Sequence, residues 1–223
     1  MQIGLIGGIG PAATDYYYRS LIEAFAASDC DLDMTIVHAD TPTLLGNLEQ
    51  NDHDAQVAIY RRLTERLSSA GADCVAVTSI AGHFCIEAFK EVSPLPVVDM
   101  LLEVSTAVES AGLQKIGILG TRTVMESRFY GGIQSAEVVP PSGNALHDVH
   151  QAYVEMAAAG QVNEAQRQVF DAACEHFLEH DKVDAVMLGG TDLALVYNGQ
   201  NTNFALVDCA AVHVDALVRR ATA

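Results

Sequence analysis

Short, continuous apolar runs alternate along this chain with longer stretches that have helical periodicity. The apolar runs predict strands at residues 2–7, 34–39, 74–79, 97–99, 116–120, 136–139 and 184–189. Apolar positions spaced three and four residues apart predict helices over 11–27, 54–70, 100–111, 145–160, 163–180 and 204–223. Strands that alternate with helices of this length are typical of parallel sheets built from βαβ units.

Two of the apolar runs occur twice. Ile3–Gly8 returns from position 116, a shift of 116 − 3 = 113 residues, and the run that ends at Ser79 returns with Gly190 in its place, a shift of 190 − 79 = 111. The repeat predicts an α/β fold of two pseudo-symmetric, doubly wound domains with parallel sheets. We expect one half to comprise residues 1–95 plus 206–223 and the other residues 96–205. Ligands of open α/β sheets bind beyond the carboxyl ends of the strands, so we expect the active-site cleft between the halves.

Composition and charge exclude several classes of partner. The chain has 223 residues and a net charge of −17, from 29 acidic residues against 12 Lys plus Arg, which makes nucleic acid and anionic membranes poor partners. Half of the residues are hydrophobic, but no apolar run reaches the 18 or so residues of a spanning helix. The N-terminus has no charged region of the signal-peptide type. Five cysteines form no CxxC pair, and an odd number does not suit a disulfide framework, so we expect a cytoplasmic protein.

The first predicted strand is followed by a glycine-rich turn. Gly8-x-Gly10-x-x-Ala13 fits the dinucleotide fingerprint, in which glycines let the backbone approach a pyrophosphate at a helix N-terminus. Asp40, after the second strand, would then hold a ribose. A tight turn that binds a small anion, or nothing, has the same pattern.

The turn after the third strand combines a serine with a histidine. Ser79 ends the predicted strand and His83 follows four residues later. A nucleophile with its base, or a pair of proton donors, is one interpretation. A helix-capping serine beside a histidine buried in the core is the other.

The turn after the strand at 116–120 is rich in hydroxyl groups. Thr121 and Thr123 are suited to hydrogen bonding a carboxylate or an amine. Arg122 is the candidate for an anion clamp. Alternatively, Arg122 lies at the surface and pairs with Glu126 at i+4.

The turn after the strand at 184–189 offers a donor and a carboxylate. Thr191 is the donor, and Asp192 is either a functional carboxylate or a helix cap. Farther back, His176 and His180 stand four residues apart, as in some metal sites, but no third ligand is evident. The sequence therefore predicts no metal site and no cofactor.

These four turns, in this order, resemble those of the aspartate/glutamate racemase family. The resemblance is carried by four segments that span essentially the whole chain: 3–11 (IGLIGGIGP), 119–127 (LGTRTVMES), 188–193 (LGGTDL) and 207–213 (VDCAAVH). It implies a cofactor-independent fold of two pseudo-symmetric α/β domains, often dimeric, so a homodimer is expected. It also implies a site in which one cysteine from each half acts on opposite faces of the substrate to remove and return the α-proton.

The chain departs from this family where the chemistry lies. The family's first cysteine opens a Cys-Asn-Thr-x-His pattern, but here Ser79 opens Ser-Ile-Ala-Gly-His; its second stands in Leu-Gly-Cys-Thr-Glu, where this chain has Gly190. A serine hydroxyl is far less acidic than a thiol and glycine has no side chain, so two-thiol racemisation is not expected. Replacing both residues by cysteine should place a thiol on each side of a bound substrate. The resemblance maps further substrate-binding positions to Gly8, Ile9, Gly10, Ile80, Ala81, Thr121, Thr123 and Thr191.

These observations predict a racemase-family protein that binds a small carboxylate or amino acid without a cofactor. Its reaction would be another isomerisation, an elimination or a carbon–acid step, with His83 and Asp192 as candidate acid–base groups. Two alternatives remain open. One is a catalytically silent binding protein on the racemase scaffold, and the other is a nucleotide-dependent oxidoreductase.

Overall fold

The chain folds into two compact α/β units. The computed structural model describes residues 1–8, 10–197 and 202–222. Unit 1 comprises residues 1–100 and 213–223, and unit 2 comprises residues 101–212. The sequence predicts boundaries after residues 95 and 205, whereas the structure has them after residues 100 and 212.

Unit 1 is built on a parallel three-stranded sheet. Its strands are β1 (Gln2–Gly7), β2 (Asp33–His38) and β3 (Cys74–Val77), in the order β2-β1-β3. The helices that begin in this unit are α1 (Pro11–Ala26), α2 (Thr41–Glu49), α3 (His53–Ser69), α4 (Ile86–Val92) and α5 (Met100–Ser110). A short 3-10 turn, Ala81–Cys85, follows β3.

Unit 2 repeats this plan with one more strand. β4 (Lys115–Gly120), β5 (Glu137–Val139), β6 (Ala185–Gly189) and β7 (Leu206–Asp208) are parallel, in the order β5-β4-β6-β7. The helices that begin in this unit are α6 (Arg122–Glu126), α7 (Asn144–Ala159), α8 (Glu164–His176) and α9 (Cys209–Thr222). From residue 213 onward, α9 belongs to unit 1. A 3-10 turn, Thr191–Leu195, follows β6.

The central strands explain why the apolar runs of the sequence are continuous rather than alternating. Every residue of β3 and of β6 is buried. Ile3, Leu5 and Ile6 of β1 have no exposed surface, and neither do their counterparts Ile116, Ile118 and Leu119 of β4. Strands covered by helices on both faces need apolar side chains on both faces.

Two predicted elements were wrong. Residues 97–99 form no strand, because only Val97 bridges to Val75 and the preceding Pro96 has no N–H to donate to a ladder. The closing helix begins at Cys209 rather than at residue 204. Residues 206–208 instead pair with β6 as strand β7, so sheet pairing overrides the local helical pattern.

None of the helices in the described ranges has the length and apolar character that crossing a membrane requires.

Candidate functional site

The glycine-rich turn after β1 is held tightly in unit 1. Gly8 has φ +96°, and a Cβ there would lie 2.4 Å from His38 Nδ1 and 2.5 Å from the Ala39 carbonyl oxygen, so only glycine fits. Its N–H donates to Thr14 Oγ1 at 2.8 Å. Gly10 is half-buried with φ +83°. Ile9, a predicted substrate-binding residue, lies outside the described residues.

Asp40, the candidate ribose ligand of the dinucleotide interpretation, serves as the N-cap of α2. Its carboxylate accepts from the Thr43 N–H at 2.9 Å and from the Thr43 hydroxyl at 2.5 Å. These two bonds lower the pKa of Asp40. The local role of this carboxylate is therefore to start a helix.

Ser79 and His83 meet in the turn after β3, but not as a nucleophile and its base. His83 Nδ1 donates to the main-chain carbonyl of Ser79 at 2.6 Å. The Ser79 hydroxyl instead accepts a long bond of 3.4 Å from the Gly82 N–H. The imidazole therefore orients the main chain of the turn. The Ser79 hydroxyl makes a contact within the turn, and Ile80 occupies the capping position of the 3-10 turn.

The other nitrogen of His83 has no partner. Because Nδ1 carries the proton, Nε2 presents a lone pair, and this atom is buried without a hydrogen bond. Burial lowers the pKa of His83, so the ring is neutral near pH 7. Of the neighbouring predicted residues, Ile80 is buried and Ala81 half-buried. The turn thus presents a neutral base in a dry environment.

In unit 2, the turn after β4 is rich in hydroxyl groups. Thr121 caps α6 by accepting from the Val124 N–H at 3.4 Å, and Thr123 is exposed. Arg122 forms the i+4 ion pair with Glu126 at 3.1 Å, on side chains that are both more than 40% exposed. This contact is the one expected of a surface arginine.

The turn after β6 contains Gly190, Thr191 and Asp192, all of them buried. Asp192 does not cap the 3-10 turn that contains it, since Gly190 occupies the capping position. Its Oδ2 accepts instead from the hydroxyl of Tyr153 on α7 at 3.0 Å, and its Oδ1 is buried with no partner. Burial raises the pKa of Asp192, which makes this carboxylate a stronger base than an exposed one.

Tyr153 is the residue that the sequence did not identify. A Cβ built on Gly190 would lie 2.3 Å from Cε2 of Tyr153, 2.5 Å from Cζ and 2.7 Å from the hydroxyl oxygen. The expectation that cysteine at position 190 would supply a thiol was therefore wrong for the structure as it stands, because the phenol occupies that space. Nothing in the sequence indicates that Tyr153, on a predicted helix, contacts Gly190, because the two residues are 190 − 153 = 37 positions apart.

The four buried cysteines do not have the surroundings of a thiolate. All five are free, and all except Cys30 are buried. Burial raises the pKa of Cys85 and of Cys174 to about 12, and also raises those of Cys74 and Cys209. A thiol whose pKa is raised by burial stays protonated and unreactive near neutrality.

The described residues contain no group of three His, Cys, Asp or Glu side chains placed to hold a metal ion. His176 and His180, the pair with metal-like spacing, stack their rings 4.7 Å apart on an exposed surface.

Comparison with known proteins places the chain in a family. The family model for Asp/Glu/hydantoin racemases matches residues 6–217. The chain belongs to this family. Solved structures share its fold: a candidate Asp/Glu racemase from Yersinia pestis has a TM-score of 0.86 at 24% identity, covering 100% of this chain and 99% of that one.

Two archaeal structures extend the likeness. An aspartate racemase homologue from Pyrococcus horikoshii has a TM-score of 0.83 at 24% identity, covering 100% of this chain and 99% of that one. The aspartate racemase of Picrophilus torridus has a TM-score of 0.77 at 18% identity, covering 99% and 94%. At these identities the likeness shows the α/β fold with parallel sheets in two domains, which the sequence predicted.

Proposed function

We propose that this racemase-family protein binds a small carboxylate or amino acid and, without a cofactor, moves a proton at a carbon atom using His83 and Asp192 rather than two thiols. Family membership supports the general chemistry. The nature of positions 79 and 190 and the raised pKa values of the buried thiols support the change of acid–base groups.

One observation carries this proposal. Among the side-chain nitrogen and oxygen atoms of the described residues, the two that are buried without a hydrogen-bond partner are His83 Nε2 and Asp192 Oδ1. An unsatisfied buried polar group costs about 1–3 kcal/mol, so such groups are rare and need an explanation. These two lie in the turns after β3 and β6, which the sequence repeat relates to each other. Each atom is an acceptor at the end of a strand, where a ligand that carries a hydrogen-bond donor would satisfy it.

The geometry suits proton transfer better than nucleophilic attack. A neutral imidazole lone pair accepts a proton directly, and a buried carboxylate with a raised pKa holds one. Ser79 has no base on its hydroxyl in the structure, and Asp40, needed for a nucleotide ribose, caps a helix. The cleft between the halves, the homodimer and the cytoplasmic location stay predictions.

Hydrogen exchange tests the proposal. We expect α-hydrogen exchange in deuterium oxide, followed by NMR, for at least one member of a panel of small acids that includes both enantiomers of aspartate and glutamate. His83→Gln and Asp192→Asn should each slow that exchange by about 10²–10⁴-fold, the usual contribution of one acid–base group. His180→Gln is the matched control, because it removes an exposed imidazole from unit 2.

The other outcomes are informative. Exchange lost in Ser79→Ala but kept in His83→Gln would assign the chemistry to the serine and contradict the proposal. Ligand-induced thermal stabilisation with no turnover of any bound compound would support the silent binding protein instead. Absence of both binding and exchange over the whole panel would overturn the proposed function.

A further inference from the structure

In unit 2, the side chain of Tyr153 occupies the space that a side chain at Gly190 would fill. The phenol ring lies edge-on against Gly190 at the carboxyl end of β6, close enough that a Cβ there would overlap its hydroxyl-bearing edge. Tyr153 is itself 8% exposed. In a parallel sheet, ligands bind at the carboxyl ends of the strands. The phenol oxygen of Tyr153 lies at such an end, against the turn that follows β6.

The hydroxyl of Tyr153 is held by a carboxylate that is otherwise unsatisfied. It donates to Asp192 Oδ2 at 3.0 Å, and Asp192, 4% exposed, keeps its Oδ1 without a partner. Unit 2 contains a second tyrosine–carboxylate pair for comparison. Tyr197 donates to Asp171 at 2.6 Å, but Asp171 is half-buried, so water reaches its carboxylate. Only the first pair combines a strand-end turn with an unsatisfied, dehydrated oxygen.

We propose that Tyr153 is the group of unit 2 that exchanges a proton with the ligand carbon, and that Asp192 takes part in the acid–base chemistry through it, by taking up or supplying the phenol's proton. This inference rests on the proposed function. In the forward step the Cα–H bond of the ligand breaks, its electron pair stays on the carbon as a carbanion or enolate, and the proton passes to Tyr153 Oη. The phenol's own proton moves at the same time to Asp192 Oδ2. The reverse transfer returns a proton to carbon, so no oxidant, metal or cofactor is required.

The electrostatics of the pair agree with this role. Burial and the neighbouring Asp192 charge raise the pKa of Tyr153 well above its ordinary value, so the phenol holds its proton in the resting protein. A phenol alone would be a poor base when protonated. The adjacent carboxylate accepts the departing proton, so the phenol oxygen takes up another without becoming phenolate.

A pair of matched substitutions tests the inference. Tyr153→Phe keeps the ring against Gly190 and removes the hydroxyl, and we expect it to slow exchange about 100-fold or more while binding of the exchanged acid changes little. Tyr197→Phe removes the hydroxyl of the comparison pair and should leave exchange within twofold of wild type. Tyr153→Phe leaves the buried Asp192 carboxylate without its hydrogen-bond partner, which by itself could destabilise the fold. The double variant Tyr153→Phe/Asp192→Asn removes that charge, and we expect it to fold while exchange stays lost.

A pH profile separates a chemical role from a packing role. Fluorotyrosine introduced only at position 153 lowers the pKa of the phenol without removing the hydroxyl, and we expect the pH–rate profile to move to lower pH. An unmoved profile, or full exchange in Tyr153→Phe, would overturn the assignment while the proposed function stands. A wild-type protein that neither binds nor exchanges any acid of the panel would overturn the proposed function, and this inference with it.

Discussion

Acidification from pH 7 to pH 4 is expected to destabilise unit 1 through His213, by about 1.4 kcal/mol for each pH unit over which the unfolded chain alone is protonated. His213 has no exposed surface. Its Nδ1 accepts from the Tyr17 hydroxyl at 2.8 Å, and its Nε2 donates to the Val98 carbonyl at 2.8 Å. Both ring nitrogens are therefore satisfied in the neutral form.

The sign follows from the direction of the shift. Burial, followed by the repulsion of the neighbouring His83, lowers the pKa of His213 from 6.5 to about 3. Asp99 raises it and Arg220 lowers it further. The unfolded chain thus takes up a proton below pH 6.5 that the folded chain refuses until about pH 3. The stability that neutral His213 provides is present above pH 6.5 and is lost as the pH falls through this window.

Urea unfolding at pH 7, 6, 5 and 4 measures the effect. His213→Gln has no titratable ring, so its free energy of unfolding should fall less steeply with decreasing pH, by about 1.4 kcal/mol per unit near pH 5. His180→Gln is the control, since it leaves both buried histidines in place. Parallel curves for wild type and His213→Gln would contradict the prediction.

Cysteine at position 190 is expected to lower the free energy of unfolding by about 1–3 kcal/mol, the usual range for overpacking a core. Its Cβ would lie 2.3–2.7 Å from three atoms of the Tyr153 edge. That ring is held by its bond to Asp192 and by its burial, so it cannot move aside without breaking other contacts. We expect no racemase activity from Ser79→Cys/Gly190→Cys, since the phenol keeps the place of the second thiol.

A double-mutant cycle measures the steric overlap between a side chain at position 190 and the ring of Tyr153. In a Tyr153→Ala background the same Gly190→Cys change should cost less, with a coupling energy of about 0.5–3 kcal/mol between the two sites. Gly46→Cys is the matched control, because the nearest atom to a Cβ there is 4.0 Å away. Additive effects of Tyr153→Ala and Gly190→Cys on unfolding would show that the ring does not fill this space.

The fold was predictable because its signals are local. Buried parallel strands need continuous apolar runs, and the repeat of Ile3–Gly8 at residue 116 revealed two similar halves. Non-local pairing produced the errors. Strand β7 exists because residues 206–208 lie against β6, and no periodicity within the segment records that neighbour.

For the candidate site too, some features follow from the sequence and others only from the tertiary structure. The sequence by itself determined the two-unit α/β fold, the strand-end turns and the identity of Ser79, Gly190, His83 and Asp192 as their residues. Only the tertiary structure decided what those residues contact: the His83 ring holds a main-chain carbonyl rather than a hydroxyl, and Tyr153 fills the space in front of Gly190. The physical reason is that hydrogen-bond satisfaction and steric exclusion depend on atoms brought together by packing, whereas hydrophobic periodicity and turn chemistry are written along the chain.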